Sequence, residues 1–482
     1  MTLPVDSLAW AVKAFRDERG MLYAKYRRYL AGNHPLEFAT PKYESAFGRL
    51  FDAFAYNRCR TVVDAHADRM KVAGFGSDDD DKRREALEAG AETDPAATTL
   101  AQLAEDLWNA NQMDVREGEI EVEAFGLGDG YLLVEVDPEG GAVYFWPQNP
   151  EQIRVRYDDA RPGRIELAAK AWLDEDERMR LNLYFTDRIE KYRTVQRAPS
   201  GMPTSPRAFE PYTPEGDTAW PMPLNLDDTV PVFHFPNNGR INGYGASELG
   251  PVLPLQDALN KTLTDMMLAE EFAAFPQRVL INVDMEAEGA VDQVQRFQAA
   301  VDRLLVLMGT NDGKAPSIAE FTAANLKQYL EIAESWDVRI SRASGVPVHH
   351  LMQTNAQDSG VKVRLAEAPF IAKLEDRQAA FGAVYAAAIA YGLRLQGVDV
   401  RPGDVRVNWK PAAPLGKDEA WDVSLKQKDA ELPFEQRLKE LGYEPEQIAT
   451  IRAMKERDDA RAFALVGDMA PADDEDDTEG VA

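Results

Sequence analysis

Two long amphipathic helical stretches flank a short insert of mixed β and α character, and this pairing constrains the fold more than any other feature. Residues 246–273 place Leu249, Val252, Leu253, Leu259, Leu263, Met266 and Met267 at i, i+3, i+4 and i+7 spacing, which predicts one helix ended by Pro276. From Asn325 the pattern returns with Leu326, Tyr329, Leu330, Ala333, Trp336 and Ile340. Gly345 is placed to end that second helix and Pro347 to prevent its resumption. Between the two, the residue pattern predicts a strand at 278–283, a helix carrying Val294, Phe297, Val301 and Leu304, and a strand around 317–321.

The rest of the chain divides into a helical start, a β-rich middle and a helical end. Residues 8–30 and 41–70 read as two helices separated by the breakers Gly32-Asn33-His34-Pro35. Residues 76–98 read as a flexible segment whose Asp-rich run (78–82) is a solvated charge cluster. A helix with Leu100, Leu103, Leu107 and Trp108 and a second helical stretch after Met113 precede a meander. Its strands are expected at 131–136, 143–146, 153–157, 165–172, 181–185 and 189–195. A Pro-rich loop (199–223) and a strand at 230–235 complete this part. Leu374, Phe381, Val384, Tyr385 and Ala388 mark a third long helix kinked at Pro369, followed by a strand at 405–409. Helices are expected over 417–465, and an acidic, disordered tail ends the chain. The fold class is α+β, mainly helical.

Composition bounds what such a fold can do. The chain has 482 residues, with 54 Lys+Arg against 82 Asp+Glu, a formal charge of −28. A hydrophobic share of 45% describes a folded protein, and the length suggests roughly three domains. So negative a chain is not built to grip nucleic-acid phosphates or an anionic membrane. Cys59 is the sole cysteine, which excludes an intrachain disulfide and a Cys-based zinc site. The longest uncharged run, 379–393, falls short of the ~18–20 residues a membrane span requires. The first twenty residues lack the basic start and apolar core of a signal peptide.

Chemistry is sparse. None of the five histidines stands at a recognisable metal spacing, and His349-His350 reads as the polar start of a loop rather than as ligands for a metal or a phosphate. His66 reads as packed or surface, and Cys59 as a small buried apolar residue. The Gly-rich 125–130 stretch precedes a strand and so is a helix-to-strand turn, not a dinucleotide fingerprint. The stretch 237–245 lacks a P-loop ending and reads as a connector into the first long helix. Neighbouring carboxylates such as Asp158-Asp159, Glu270-Glu271 and Asp458-Asp459 are what this acidity produces by chance, and none sits in an apolar setting that would raise a pKa.

Particular residues nevertheless carry a resemblance. Gly32-Asn33-His34-Pro35-Leu36-Glu37-Phe38-Ala39, Lys42-Tyr43, Phe47-Gly48-Arg49-Leu50-Phe51, Asn57 with Val62-Val63-Asp64-Ala65, and Lys71-Val72-Ala73-Gly74-Phe75 follow one another in order. Further on come Trp108, Asn111-Gln112-Met113-Asp114, Gly130-Tyr131-Leu132-Leu133-Val134 and Leu183-Tyr184-Phe185-Thr186-Asp187. Gly245-Ala246-Ser247-Glu248-Leu249, running into Leu255-Gln256-Asp257-Ala258-Leu259-Asn260-Lys261-Thr262, is paired with Ala343-Ser344-Gly345-Val346-Pro347 and Asp358-Ser359-Gly360. Over residues 20–450 this pattern resembles the portal proteins of tailed bacteriophages, nearest to those of long-tailed phages infecting actinobacteria.

The resemblance implies a non-enzymatic ring subunit, usually one of twelve, at one capsid vertex, through which double-stranded DNA is packaged and ejected. It implies a wing at 1–245, a first stem helix at 246–275, a clip at 276–324 and a second stem helix at 325–345. A channel loop at 346–360, a wing return at 361–412, a crown at 413–470 and a disordered acidic tail at 471–482 follow. Channel-facing residues would be His349, His350, Gln353, Thr354, Asn355, Gln357 and Asp358. Stem packing would fall to Leu249, Leu253, Leu259, Leu263, Met266, Leu326, Leu330, Trp336 and Ile340. Arg278, Asn282, Asp284, Arg303, Asn311 and Lys314 would serve the clip. The implied partners are further copies of the chain, the terminase large subunit, the major capsid protein and scaffold, and the head–tail connector. No cofactor and no membrane are implied, and the place is the virion, after assembly in the bacterial cytoplasm. The residues alone leave open an acidic hydrolase using an Asp/Glu pair, or another ring-forming virion adaptor.

Overall fold

The computed structural model describes residues 4–34, 56–78, 99–274, 278–283, 304–308, 317–320, 325–352 and 360–413, and scattered helical positions beyond. Within these, residues 138–139, 198, 200, 216, 218, 225–228, 240 and 242 are left out. The first expected helix is two, α1 (Pro4–Ala14) and α2 (Glu18–Leu30). The break comes at Asp17, whose side chain accepts the Arg19 N–H at 3.1 Å and caps α2, a local bond that competes with continuous helix. Similarly, the helix expected over 41–70 is helical in its described part only as α3 (Arg58–Ala67), with Asn57 as its N-cap. Residues 35–55 lie outside the described residues. The sequence Val72–Gly76 forms a strand, β1, that the expectations lack. Two glycines in five residues hide its alternation.

Helices α4 (Leu100–Ala110) and α5 (Met113–Leu127) lead into the meander. Its strands are β2 (Asp129–Val136), β3 (Val143–Gln148), β4 (Ile153–Tyr157), β5 (Ile165–Leu173), β6 (Met179–Tyr184), β7 (Arg188–Thr194), β8 (Phe209–Pro211), β9 (Met222–Pro223) and β10 (Val232–Pro236). They form two antiparallel sheets. One has the order β10-β2-β3; the other runs β4-β5-β6-β7-β8, with β9 added on β7. The turn at Gly128 between α5 and β2 is as expected: Gly128 caps the helix at φ 104°, where a side chain would be strained. The face of β5, β6 and β7 that carries Leu167, Ala169, Leu181 and Leu183 packs on Ala11 and Val12 of α1.

The first long helix, α6 (Leu253–Ala274), starts seven residues later than expected. Residues 248–252 form turns, and Pro251 and Pro254 suit the entry to a helix better than its interior. The second, α7 (Leu326–Ser344), packs on it and ends at Gly345 with φ 79°. Between them lies a three-stranded sheet, β12 (Leu304–Met308), β11 (Arg278–Val283) and β13 (Ser317–Glu320) in that order. Leu304 therefore opens a strand rather than closing a helix. Strand β12 is parallel to β11 and wholly apolar, the pattern of a parallel strand, which carries no period to tell it from helix. Val294, Phe297 and Val301 lie outside the described residues.

A short 3-10 turn (348–350) precedes α8 (Gly360–Leu395), 36 residues long with Pro369 inside it. The uncharged run 379–393 is a buried core segment of α8: Phe381, Tyr385, Ala388 and Ile389 are fully buried against α4, β2 and β10. Among the described residues no helix is long and apolar enough to cross a membrane. Strand β14 (Arg406–Trp409) pairs antiparallel with β1 inside the larger unit, Met1–Ala412. Residues 413–482 form a second unit in which Leu438 and Ile448 are buried.

Candidate functional site

The two long helices meet the rest of the unit through buried polar side chains. On α6, Gln256, Asp257, Asn260 and Thr264 are all buried. Asp257 accepts the Tyr29 hydroxyl at 2.8 and 2.9 Å. Gln256 accepts the Arg58 N–H at 2.7 Å and donates to the Tyr56 carbonyl at 2.6 Å. Asn260 Nδ2 donates to His34 Nδ1 at 2.6 Å and its Oδ1 accepts the Tyr56 N–H at 3.3 Å. Across to α7, Arg58 holds Asp337 through two bonds of 2.8 Å, and Trp336 Nε1 donates to Thr262 Oγ1 at 3.2 Å. These bonds explain Gln256, Asp257, Asn260 and Thr262 of the 255–262 motif. Reading only its apolar stripe missed them, and the recurrence of amides and a carboxylate on one face was the available signal.

Leu249, Leu253, Leu259 and Ile340 are buried, Leu263 and Trp336 pack on the same core, and Met266 and Leu326 are half-buried. Leu330 departs from them, at 50% exposure, with Ile332 beside it at 45%. The buried stripe of α7 is instead Ala333, Asp337, Ile340 and Ser344. Of the insert residues, Arg278 and Asn282 lie on β11; Asp284, Arg303, Asn311 and Lys314 lie outside the described residues.

Asn237 and residues 245–248 of the expected connector are held by close backbone approaches. Gly245 N–H donates to Asp129 Oδ1 at 2.6 Å, Ala246 N–H to the Asn237 carbonyl at 2.7 Å, and Glu248 N–H to the Phe125 carbonyl at 3.0 Å. Asp129 is fully buried and also receives Arg19 at 2.9 Å, His234 Nε2 at 2.7 Å and the Tyr23 hydroxyl at 2.5 Å. Burial pushes its carboxyl up, but the His234 hydrogen bond and charge, Tyr23 and the Gly245 N–H outweigh burial and hold it below the usual range. Glu248 is depressed in the same way, burial being outweighed by His66, by Lys373 at 2.6 Å and by Asn237. His66 is fully buried, and burial lowers its pKa to about 4.

The adjacent histidines point at α8. His349 and His350 both meet Glu367, as does Arg69 from the end of α3 at 3.0 Å. Burial, His349 and Arg69 lower the His350 pKa, while burial of Glu367 is outweighed by Arg69 and the histidines. Gln353, Thr354, Asn355, Gln357 and Asp358 lie outside the described residues.

One carboxylate pair does sit in an apolar setting. Glu117 and Glu121 share a face of α5, both buried, and burial raises Glu117 to about 7 despite Lys71. Burial and Glu117 push Glu121 well above the normal range, and neither of its oxygens has a partner among the described residues. Spacing i, i+4 was the signal for this pair; adjacent acids were not. Cys59 is buried, and burial pushes its thiol up, away from a reactive thiolate. An open cleft of ≈ 710 Å³ beside α3 and α5 is lined by charges of both signs, among them Arg60, Asp64, Lys71 and Glu123. Arg60 is paired with Asp64, and Glu123 with Arg27.

Comparison with known proteins bears on this architecture. A portal protein of Mycobacterium phage D29 is 26% identical over 436 residues, covering 86% of this chain and 81% of that protein. Among solved structures, the neck of an empty gene transfer agent particle, computed with C6 symmetry, aligns with a TM-score of 0.44 at 14% identity. It covers 87% of this chain and 93% of that one. The virion of a native gene transfer agent particle gives 0.42 at 14% identity, over 91% and 99%. The family described as phage portal protein, SPP1 Gp6-like, matches residues 23–459. A match across that span shows that the chain belongs to the phage portal protein family of the SPP1 Gp6-like type.

Proposed function

We propose that the protein is the repeating subunit of a portal ring at one vertex of a phage capsid. In this reading α6 and α7 are the stem helices, the β12-β11-β13 sheet belongs to the clip, and the α1–β10 region with α8 and β14 is the wing. Residues 413–470 are the crown and 349–358 line the channel. The observation that supports it most is the pairing of α6 and α7 around a small sheet, with one side of α6 anchored through Gln256, Asp257 and Asn260. The exposed Leu330 and Ile332 on α7 suit contact with a neighbouring subunit, where their apolar area would be buried.

The ring is proposed to have twelve subunits and to meet the terminase and later the head–tail connector through the clip, with the major capsid protein and scaffold around the wing. Double-stranded DNA passes through it without sequence-specific binding. Native mass spectrometry and negative-stain imaging of the purified full chain test this. Closed rings with a central hole are expected, alone or with scaffold present; a monomer or dimer under both conditions overturns the reading.

A further inference from the structure

His349 and His350 close the 348–350 turn, and Glu367 faces them from α8. Glu367 Oε1 lies 3.1 Å from His349 Nε2 and 3.3 Å from His350 Nε2. All three ligand atoms fall within 4.8 Å of one another. Bonds of ~2.0–2.1 Å to a tetrahedral ion place neighbouring ligand atoms about 3.3 Å apart, so the trio is close to a chelating arrangement. The side chains of His349, His350 and Glu367 are 30%, 26% and 14% exposed, which leaves a hydrated ion a way in.

Three donors crowd one carboxylate oxygen. Glu367 Oε1 takes Arg69 Nη2 at 3.0 Å, His349 Nε2 at 3.1 Å and His350 Nε2 at 3.3 Å, and Arg69 Nη2 also stands 3.2 Å from His350 Nε2. Without an ion the guanidinium therefore holds the oxygen on which the two imidazoles converge. Arg69 Nη1 has no hydrogen-bond partner among the described residues, so half of its guanidinium is unanchored.

We propose that His349 Nε2, His350 Nε2 and Glu367 Oε1 form a site for a zinc-class divalent transition-metal ion, for which the Arg69 guanidinium competes. Two imidazoles and one carboxylate suit zinc, cobalt or nickel over magnesium or calcium, which prefer oxygen. Three protein ligands leave a fourth position for water. The bound ion would tie the 348–350 turn to α8 and stabilise the folded chain by mass action.

The test is a titration of the full chain with Co²⁺, followed by visible absorption, and displacement by Zn²⁺ followed by calorimetry. One ion per chain is expected, with the intense bands of four-coordinate cobalt. His349→Ala and His350→Ala should each weaken binding by about tenfold or more, the scale on which ligand-shell changes act. Arg69→Gln should strengthen it, because a positive charge beside Oε1 is removed. Thermal melting in chelator checks that each variant folds; Zn²⁺ should raise the melting temperature of the unaltered chain and not of His349→Ala. No cobalt band, a band that survives loss of both histidines, or an affinity unmoved by Arg69→Gln in a folded variant overturns the proposal.

Discussion

Gly245 shows how a single residue is fixed by what surrounds it. A Cβ there would lie 1.9 Å from the Gly128 carbonyl oxygen and 2.6 Å from the backbone of Asn237, and neither can move aside. Gly245→Ala is expected to cost at least ~3 kcal/mol, read as a lowered melting temperature. Gly250→Ala, where the nearest atom is 3.6 Å away, should stay within about 0.5 kcal/mol. Asp129 is the second such residue. Asp129→Asn removes the charge that Arg19 and His234 face, and should cost about 3 kcal/mol by leaving Arg19 unpaired at a buried partner. The same melting experiment checks it, with Tyr23→Phe as the milder variant. The glycine was legible as a motif letter, but the sequence holds no sign of what it touches. Asp129 follows a Gly-rich turn and looks like any other turn aspartate. Its four donors come from residues 19, 23, 234 and 245, which only folding brings together.

At the scale of elements, α5 carries a pH dependence. Burial gives Glu117 a folded pKa of about 7 against 4.5 for a free glutamate, so the folded state holds its proton longer than the unfolded chain. Stability from this group is complete below pH 4.5 and falls as pH rises towards 7, by an upper bound of about 3 kcal/mol. Glu121 shifts the same way and extends the loss upward. His66 acts oppositely: with a folded pKa near 4 against 6.5, its stability is full above 6.5 and is lost as pH falls towards 4. Glu117→Gln with Glu121→Gln should therefore flatten the decline in melting temperature between pH 6 and 8 and make the variant the more stable at pH 8. An unchanged slope in calorimetry would count against the buried-carboxyl account. Most elements were legible because their periods are long and clean, as for α7 and β5. The errors share a cause: Asp17 and Asn57 cap helices through side-chain bonds that periodicity does not register, and β12 has no period at all.

The whole molecule sets the last prediction. If 349–358 line the channel of a ring, deleting 353–358 should leave rings intact in negative stain while impairing DNA packaging or retention in infected cells. Normal packaging without the segment would remove it from the channel. In the proposed ring of twelve the charge of −28 per chain would total roughly −340, a field that would discourage adhesion to DNA. Residues 473–479 hold six of the acidic groups, so −22 remains spread over the rest of the chain. The sequence by itself determined the α+β class, the order of most strands, the two helices around a small insert and the portal family, because each rests on local periodicity or on ordered motifs. Only the tertiary structure decided which polar residues are structural. It gave Asp129, Glu248, Gln256 and Asn260 their partners, buried Glu117 beside Glu121, and joined His349 and His350 to Glu367 and Arg69. The physical reason is that desolvation and hydrogen bonding act between residues distant along the chain, and no local pattern of letters records who those neighbours will be.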